Sequence, residues 1–424
     1  MKNTDRYNSI IINFLFLMFP ISLMLGNPIT NLNIFLICLF AFIFYNKKIT
    51  KFKINIFDKI ILIFFLCTIL SLIVNYIDAY LDGRNFPRLI IDKTLLYLRY
   101  LVLYLILRVL ISQKILRVDW FSYTCAICAA FLCLDIFFQF SFGKDIFGIQ
   151  TPYPNRHSGI FGTELIAGTY LQKFALFFLF LPFLLKKNFF YTISIQFAFF
   201  FIFLLGIMFT GNRAPFILYI LSFLIYLILD KNLRKYFFSI FVIIFLILSL
   251  YFVFNKHFAI KMHSFYQNGE YLIKTLLTKD LIKEPEEVWL KSHMSEVYCS
   301  SYSFIKNPIF GGGVRSYRTH INCNTHPHNY YIEIVSDLGL LGLSIILIFV
   351  FMLLYKILIK KISPFQFHLR GLDSRSMPFF LIFFIEFFPL RTTGSFFTTN
   401  NASTIFLILA ILVSLISPKK INNN

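Results

Sequence analysis

Residues 237–254 read FFSIFVIIFLILSLYFVF, eighteen positions without a single charge and with only Ser239 and Ser249 to interrupt the apolar run. At 1.5 Å per residue such a stretch is close to the roughly 20 residues that carry a helix across a bilayer's hydrocarbon core. Comparable runs lie on either side, near 9–25, 29–45, 57–76, 89–111, 119–141, 163–185, 189–210 and 214–229 before it, and near 330–355, 377–390 and 402–417 after it. No single buried core could absorb so many. The expected fold is therefore all-α, a polytopic integral membrane protein of about 12 transmembrane helices.

Composition agrees. Of 424 residues 58% are hydrophobic and 14% charged, with a mean hydropathy of +0.74, whereas soluble domains carry about 25% charged residues. A soluble enzyme is excluded. The net charge of +20 would suggest a nucleic-acid ligand in a soluble chain, but here much of the excess lies in short loops between apolar runs, where it reports topology. No nucleic-acid partner is expected, and the lipid bilayer is the first partner implied.

The first run reads as a retained span, because Pro20 interrupts it and a second span follows almost at once. With the N-terminus inside, Lys47, Lys48, Lys51 and Lys53, then Lys114 and Arg117, Lys186 and Lys187, Lys231 with Arg234 and Lys235, Lys356 to Arg375, and Lys419 with Lys420 all fall on the inner side. That satisfies the positive-inside rule. Segment 255–329, with nine Lys/Arg and six acids, falls outside by parity and is the only soluble piece of any size. Without a fixed-period repeat or a linker, 1–424 reads as one integral membrane domain containing that long loop.

The polar residues gather where this loop ends. Gly311-Gly312-Gly313-Val314-Arg315-Ser316-Tyr317-Arg318 is followed by Thr325-His326-Pro327-His328-Asn329, the densest basic cluster expected on the outer face. Pro suits the first turn of a helix, so Pro327 is expected to start the tenth span and to place His328 and Asn329 at its positive end. Gly211-Asn212-Arg213-Ala214-Pro215 repeats the geometry before the eighth span. Two helix N-termini with Arg213, Arg315 and Arg318 would cradle a diphosphate, since guanidinium forks match phosphate oxygens; a lone Arg213 could equally be a snorkelling anchor. Gly339 lies about three helical turns after His328, and the small pair Gly339/Gly342 would admit a neighbouring helix. Asn329, Glu333 and Asp337, at i, i+4 and i+8, form a polar stripe that either orients substrate or bonds another element. No Cys or carboxylate stands at familiar zinc spacing from His326 and His328, so no metal is expected.

These motifs resemble, in order, the bacterial O-antigen ligase and O-antigen polymerase superfamily. The resemblance rests on the twelve spans, the Gly-Asn-Arg turn, one long outer loop, NPIFGGGVRSYR at 307–318 and HPHNYYIEIVSDLGLLG at 326–342, with the strongest motifs in 300–355. Arg156 to Gly168 and Phe388 to Ser395 also look like family loops. The resemblance implies a glycosyltransferase in the bacterial cytoplasmic (inner) membrane, with its site facing the periplasm. It would move a polyprenyl-diphosphate-linked glycan to an acceptor hydroxyl, on lipid A-core for a ligase or on another glycan for a polymerase. His328 would be the catalytic base and Arg213 a diphosphate contact. One of Arg315 and Arg318 would be the second contact, Arg318 being preferred because it follows an aromatic; His326, Asn329 and Glu333 would complete the substrate site. No cofactor is implied, because the donor carries its own leaving group. Cys299 and Cys323, the two outer-loop cysteines, could pair in an oxidising compartment. A ligase is favoured by the His-Asn, nine residues, Gly-x-x-Gly spacing. The rival from another class is a transporter or flippase, for which Arg99, Asp135, Lys173 and Glu386 in or near spans would be the ionisable residues; Arg99 and Asp135 could instead pair with each other.

Overall fold

The computed structural model describes residues 3–151, 153, 155–184, 189–230, 233–254, 260, 263, 266–267, 299–301, 303–319, 327–358, 376–391 and 394–416. Its α-helices are α1 (Asn3–Leu17), α2 (Phe19–Met24), α3 (Asn27–Thr50), α4 (Ile56–Leu81), α5 (Arg88–Ser112), α6 (Val118–Phe142), α7 (Ala167–Leu184), α8 (Phe189–Phe209), α9 (Arg213–Leu229), α10 (Phe237–Phe254), α11 (Tyr330–Leu358), α12 (Met377–Glu386) and α13 (Thr399–Ile416). Among the described residues there is no strand.

Every apolar run read from the sequence coincides with a helix, the first with the pair α1 and α2, which breaks at Met18 beside Pro20. Among the described residues seven helices are long and apolar enough to span a membrane, and Ala167–Leu181, Ile193–Phe209, Arg213–Leu229 and Met377–Glu386 are apolar but shorter. The chain is a multi-pass membrane protein. One expected boundary moves substantially: the run at 377–390 yields a helix of only ten residues, which stops at Glu386, where that carboxylate turns into an ion-paired network.

Local chemistry sets several helix ends. Asn55 and Asp58 form a reciprocal capping box at the start of α4, satisfying two amide donors that the first turn would otherwise leave unpaired. Asp58 then does a second task. It accepts from Arg108 Nε at 2.8 Å and Tyr104 OH at 2.8 Å, while Arg108 NH1 donates to Ser414 at 2.7 Å. The beginning of α4, the end of α5 and the end of α13 therefore meet at one end of the bundle. Arg99 on α5 donates to Thr399 on α13 at 3.3 Å, so these two helices run in the same direction. Aromatic rings fill the space between: Phe65 packs on Tyr97 at 5.4 Å and Phe406 at 5.1 Å, and Phe200 on Phe223 at 3.9 Å.

The decisive irregularity lies in α11. Gly339 has φ 65° and ψ −164°, which breaks the helix and strands backbone groups that in a membrane must find partners within the protein. They find the loop 307–313. Leu340 N donates to Pro308 O at 2.9 Å and Leu341 N to Ile309 O at 3.2 Å; Gly312 N donates to Ser336 O at 3.0 Å and Gly313 N to Asp337 O at 2.8 Å. From the other side α4 grips the same loop, Ser71 Oγ donating to Phe310 O at 2.6 Å and Asn75 Nδ2 to Gly311 O at 2.8 Å. The pair Gly339/Gly342, read as a contact for a neighbouring helix, is corrected here: at Gly339 what approaches is loop backbone. A Cβ at Gly339 would lie 2.3 Å from Ile309 O, and one at Gly311 2.4 Å from Leu338 N.

Gly83 offers a control, since it has φ +66° but no atom within 4 Å of the Cβ position. Gly83→Ala should cost about 1–2 kcal/mol, the left-handed penalty alone. Gly339→Ala adds a collision with backbone and should lower the thermal midpoint in detergent well beyond Gly83→Ala. Equal losses would mean that the loop can move aside.

Candidate functional site

The stripe Asn329, Glu333 and Asp337 on α11 ties down two loops. Asn329 caps the helix, its Oδ1 accepting from Tyr331 N at 2.9 Å and Ile332 N at 3.2 Å, while its Nδ2 donates to Pro389 O at 2.7 Å and Arg391 O at 3.1 Å. Glu333 is buried and accepts from Ser395 Oγ and Phe396 N, both at 2.5 Å. Asp337, fully buried, accepts from Arg315 N at 2.6 Å, Ser316 Oγ at 3.1 Å and Tyr317 N at 3.4 Å. Of the two roles open to the stripe, bonding other elements is the one these distances describe.

The loop so held presents cations. Arg315 has φ 65°, a left-handed conformation that costs a non-glycine residue about 1–2 kcal/mol and is sustained here by the Asp337 carboxylate and by Arg315 NH2 donating to Phe397 O at 2.9 Å. Arg318 lies close enough to act on Arg315 electrostatically. Burial first, then Arg318, hold the Arg315 guanidinium below its usual pKa, with Glu333 and Asp337 pulling the other way. Lys93 and Arg99 of α5 join them, since Lys93 feels Arg315, Arg318 and Arg99 together. Four cations thus gather beside the break in α11. Nothing local in the sequence marks Lys93, one of several basic residues at and near the start of the fourth apolar run; only the packing of Gly313 against Ile90 on α5 brings it in.

Arg213 is the first residue of α9, with Asn212 before it. Asn212 Nδ2 donates to Leu165 O at 3.0 Å, joining the Gly-Asn-Arg turn to the loop ahead of α7. Gly211, at φ +69°, leaves room for Asn155 O and Arg156, which a Cβ would approach to 3.1 and 3.0 Å, and Gly168 leaves room for Thr210 and Asn212. The Arg156–Gly168 loop and the Gly-Asn-Arg turn therefore pack on each other and bring the Arg156 charge to act on Arg213. His157 follows, stacked edge-on to Phe140 at 5.4 Å; burial lowers its imidazole pKa below 6.5.

Pro327 does not open α11. The helix begins at Tyr330, and Asn329 O accepts from Glu333 N at 3.0 Å, so Pro327 and His328 precede the cap. The expectation that His328 stands inside the first turn is corrected: an asparagine side chain caps better than a backbone forced by proline two residues earlier. His328 is half-buried. His326 and Cys323 lie outside the described residues; Cys299 is disulfide-bonded, and the five cysteines of the spans are free.

A second network sits where α12 ends. Glu386 Oε1 pairs with Lys173 Nζ at 3.1 Å and Arg391 NH1 at 2.6 Å, and Glu386 Oε2 accepts from Tyr330 OH at 3.0 Å. All four side chains are buried. Lys173 also reaches Asn401 Oδ1 at 3.3 Å, and Asn401 Nδ2 donates to Ser395 O at 2.9 Å. This anchors Arg391 and the segment 394–398, whose Phe397 carbonyl accepts from Arg315. The suggested Arg99–Asp135 pair does not form. Arg99 donates to Leu96 O, Tyr100 OH and Thr399 Oγ1, whereas Asp135 accepts from Ile146 N at 2.9 Å and Ile160 N at 2.7 Å.

A multi-pass helical bundle that holds arginine-bearing loops against a broken helix is the class of protein this fold defines. Residues 198–347, from α8 into α11, match the family model described as O-antigen ligase, about a third of the chain. The match takes in Arg213, Arg315, Arg318, His328 and Gly339. No curated protein matches the sequence.

The buried network carries a stability prediction. Glu386→Gln leaves Lys173 and Arg391 without their counter-ion and should cost about 3–5 kcal/mol, read as a large fall in thermal midpoint. Asp82→Asn removes an ion pair to Arg84 whose side chains are 58% and 51% exposed and should cost at most about 1 kcal/mol. Similar small effects for both would show that water or lipid headgroups compensate at Glu386.

Proposed function

We propose that this enzyme transfers a glycan from a polyprenyl diphosphate to an acceptor hydroxyl at the outer face of the bacterial inner membrane. The reading is carried by Arg315, which lies within the stretch matching the O-antigen ligase family model and is held by buried partners beside Arg318, Lys93 and Arg99. Guanidinium forks suit a diphosphate, and a fixed cluster needs no reorganisation as negative charge develops on the leaving oxygen. Arg213, at the start of α9 with Arg156 beside it, is the second diphosphate contact. His328 is the base, with His326 nearby in sequence. Asn329 and Glu333 contribute by holding the loops that wall the substrate site.

In the reaction the acceptor oxygen attacks the anomeric carbon, the bond from that carbon to the diphosphate oxygen breaks, and the diphosphate leaves with the electron pair. His328 takes the hydroxyl proton. Nothing in this sequence of steps calls for a metal or an organic cofactor. A transport role is disfavoured by the partners of the buried ionisable groups: Lys173 and Glu386 bond each other, and Arg99 and Asp135 bond the surrounding fold.

Transfer measured with purified protein in liposomes, using a polyprenyl-diphosphate-linked glycan, tests the roles. His328→Ala should lose about 100-fold to 10,000-fold, the usual contribution of a positioned base. Arg318→Lys and Arg213→Lys, which keep charge but lose the fork, should each lose much of the activity while the protein still inserts. Unchanged turnover by His328→Ala removes it as the base, and unchanged turnover by both Arg213→Lys and Arg213→Ala makes Arg213 a snorkelling anchor.

The acceptor is tested separately by lipopolysaccharide banding in a deletion strain. For a ligase joining glycan to lipid A-core, core should carry no O-antigen while finished glycan collects on the lipid carrier. Core capped by a single repeat would instead identify a polymerase, and a normal ladder would exclude both roles for the chain acting alone.

A further inference from the structure

We infer that Asp337 is the positioning residue of the donor site, acting through Arg315 without touching substrate. The inference rests on the proposed reading that Arg315 contacts a diphosphate. Asp337 is fully buried on the helical turn immediately before the Gly339 break. Its Oδ2 accepts from Arg315 N at 2.6 Å, and its Oδ1 accepts from Ser316 Oγ at 3.1 Å and Tyr317 N at 3.4 Å. Its main-chain oxygen accepts from Gly313 N at 2.8 Å and from Ser71 Oγ at 3.2 Å. One residue thus holds five consecutive loop positions, 313–317, at both their ends.

The geometry shows why a carboxylate is needed there. Arg315 at φ 65° turns the chain sharply between Val314 and Ser316, both buried, and so sets the direction in which the guanidinium leaves the loop. A left-handed arginine is unfavourable by itself, and in that conformation the three donors from 315–317 converge on the one carboxylate. Two carboxylate oxygens can accept all three, whereas an asparagine offers one acceptor oxygen and puts an NH2 group against the remaining donors. The far end of the side chain donates to Phe397 O, one bond that does not by itself set the main-chain conformation at 315. Loss of Asp337 should therefore let the main chain at 315 relax and draw the guanidinium away from that carbonyl.

The test is binding of farnesyl diphosphate to the purified full chain in detergent, for wild type, Asp337→Asn, Arg315→Ala and the double variant, with thermal midpoints recorded for each. Arg315→Ala and Asp337→Asn should each weaken binding about 10-fold, and the double variant should be no weaker than Arg315→Ala within about twofold, because the aspartate acts through the arginine. The KM for the glycan acceptor should stay unchanged in Asp337→Asn, which a general loss of structure would not spare. Wild-type affinity in Asp337→Asn, or a double variant in which the two losses multiply, overturns the inference while leaving the diphosphate site in place. Should wild type itself fail to bind farnesyl diphosphate, the functional reading falls and this inference with it. If Asp337→Asn does not fold, Ser316→Ala decides: it removes one of the three donors and should weaken binding about threefold, and unchanged binding there overturns the inference.

Discussion

The break at Gly339 is the constraint on which the rest of the site depends. A helix in a bilayer keeps its amides and carbonyls bonded to one another, since hydrocarbon offers no substitute. Interrupting α11 at mid-chain would be prohibitive without another backbone to take over those bonds. Loop 307–313 does so through four main-chain hydrogen bonds, and it can come close enough only because glycine stands at 339 and at 311. The loop is in consequence held as firmly as a secondary-structure element, with Ser71 and Asn75 of α4 closing it from the opposite side. Precision at Arg315 and Arg318 follows from that rigidity.

Buried charge is distributed with a clear division. At the end of the bundle where α4 begins, Asp58 is saturated by Arg108, Tyr104 and its own capping box. Where α12 ends, Glu386 meets Lys173, Arg391 and Tyr330. In both places the acid and base are enclosed by partners, the arrangement that makes intramembrane charge tolerable. The cations near the glycine loop are different in kind. Lys93 feels the like charges of Arg315, Arg318 and Arg99, opposed by Asp92, and Arg315 feels Arg318, opposed by Glu333 and Asp337. A site of that sign gains most from an anionic ligand, which is the chemistry the proposed lipid-diphosphate donor would supply.

The two networks also communicate through one loop. Residues 387–391 and 394–398 are tied to Glu386 and Lys173 through Arg391 and Asn401, to Asn329 and Glu333 on α11, and to Arg315 through Phe397 O. The short α12 makes this geometry available. A longer helix through 390 would carry Arg391 beyond reach of Glu386 and remove the carbonyls that receive Asn329.

What the sequence determined by itself is the part governed by local composition and periodicity: where the apolar runs lie, that they are helical, that the chain passes the membrane repeatedly, and that polar residues gather at 211–215 and 311–329. Each of those signals is contained within some twenty contiguous residues. Tertiary structure alone decided how they are used. Gly339 and Gly342 read as a helix-packing pair because i, i+3 spacing carries no information about a loop arriving from thirty residues upstream. Pro327 read as a helix start, yet Asn329 caps α11 by reaching carbonyls at 389 and 391, sixty residues away. Lys93, Asp337 and Arg391 acquired their importance only through partners distant in the chain, and Arg99 and Asp135 lost a suggested partnership because each found backbone or hydroxyl groups closer by. The physical reason is common to all of these: a polar group in a low-dielectric interior is committed by whichever partner the fold brings to it, and that choice lies outside any local window of sequence.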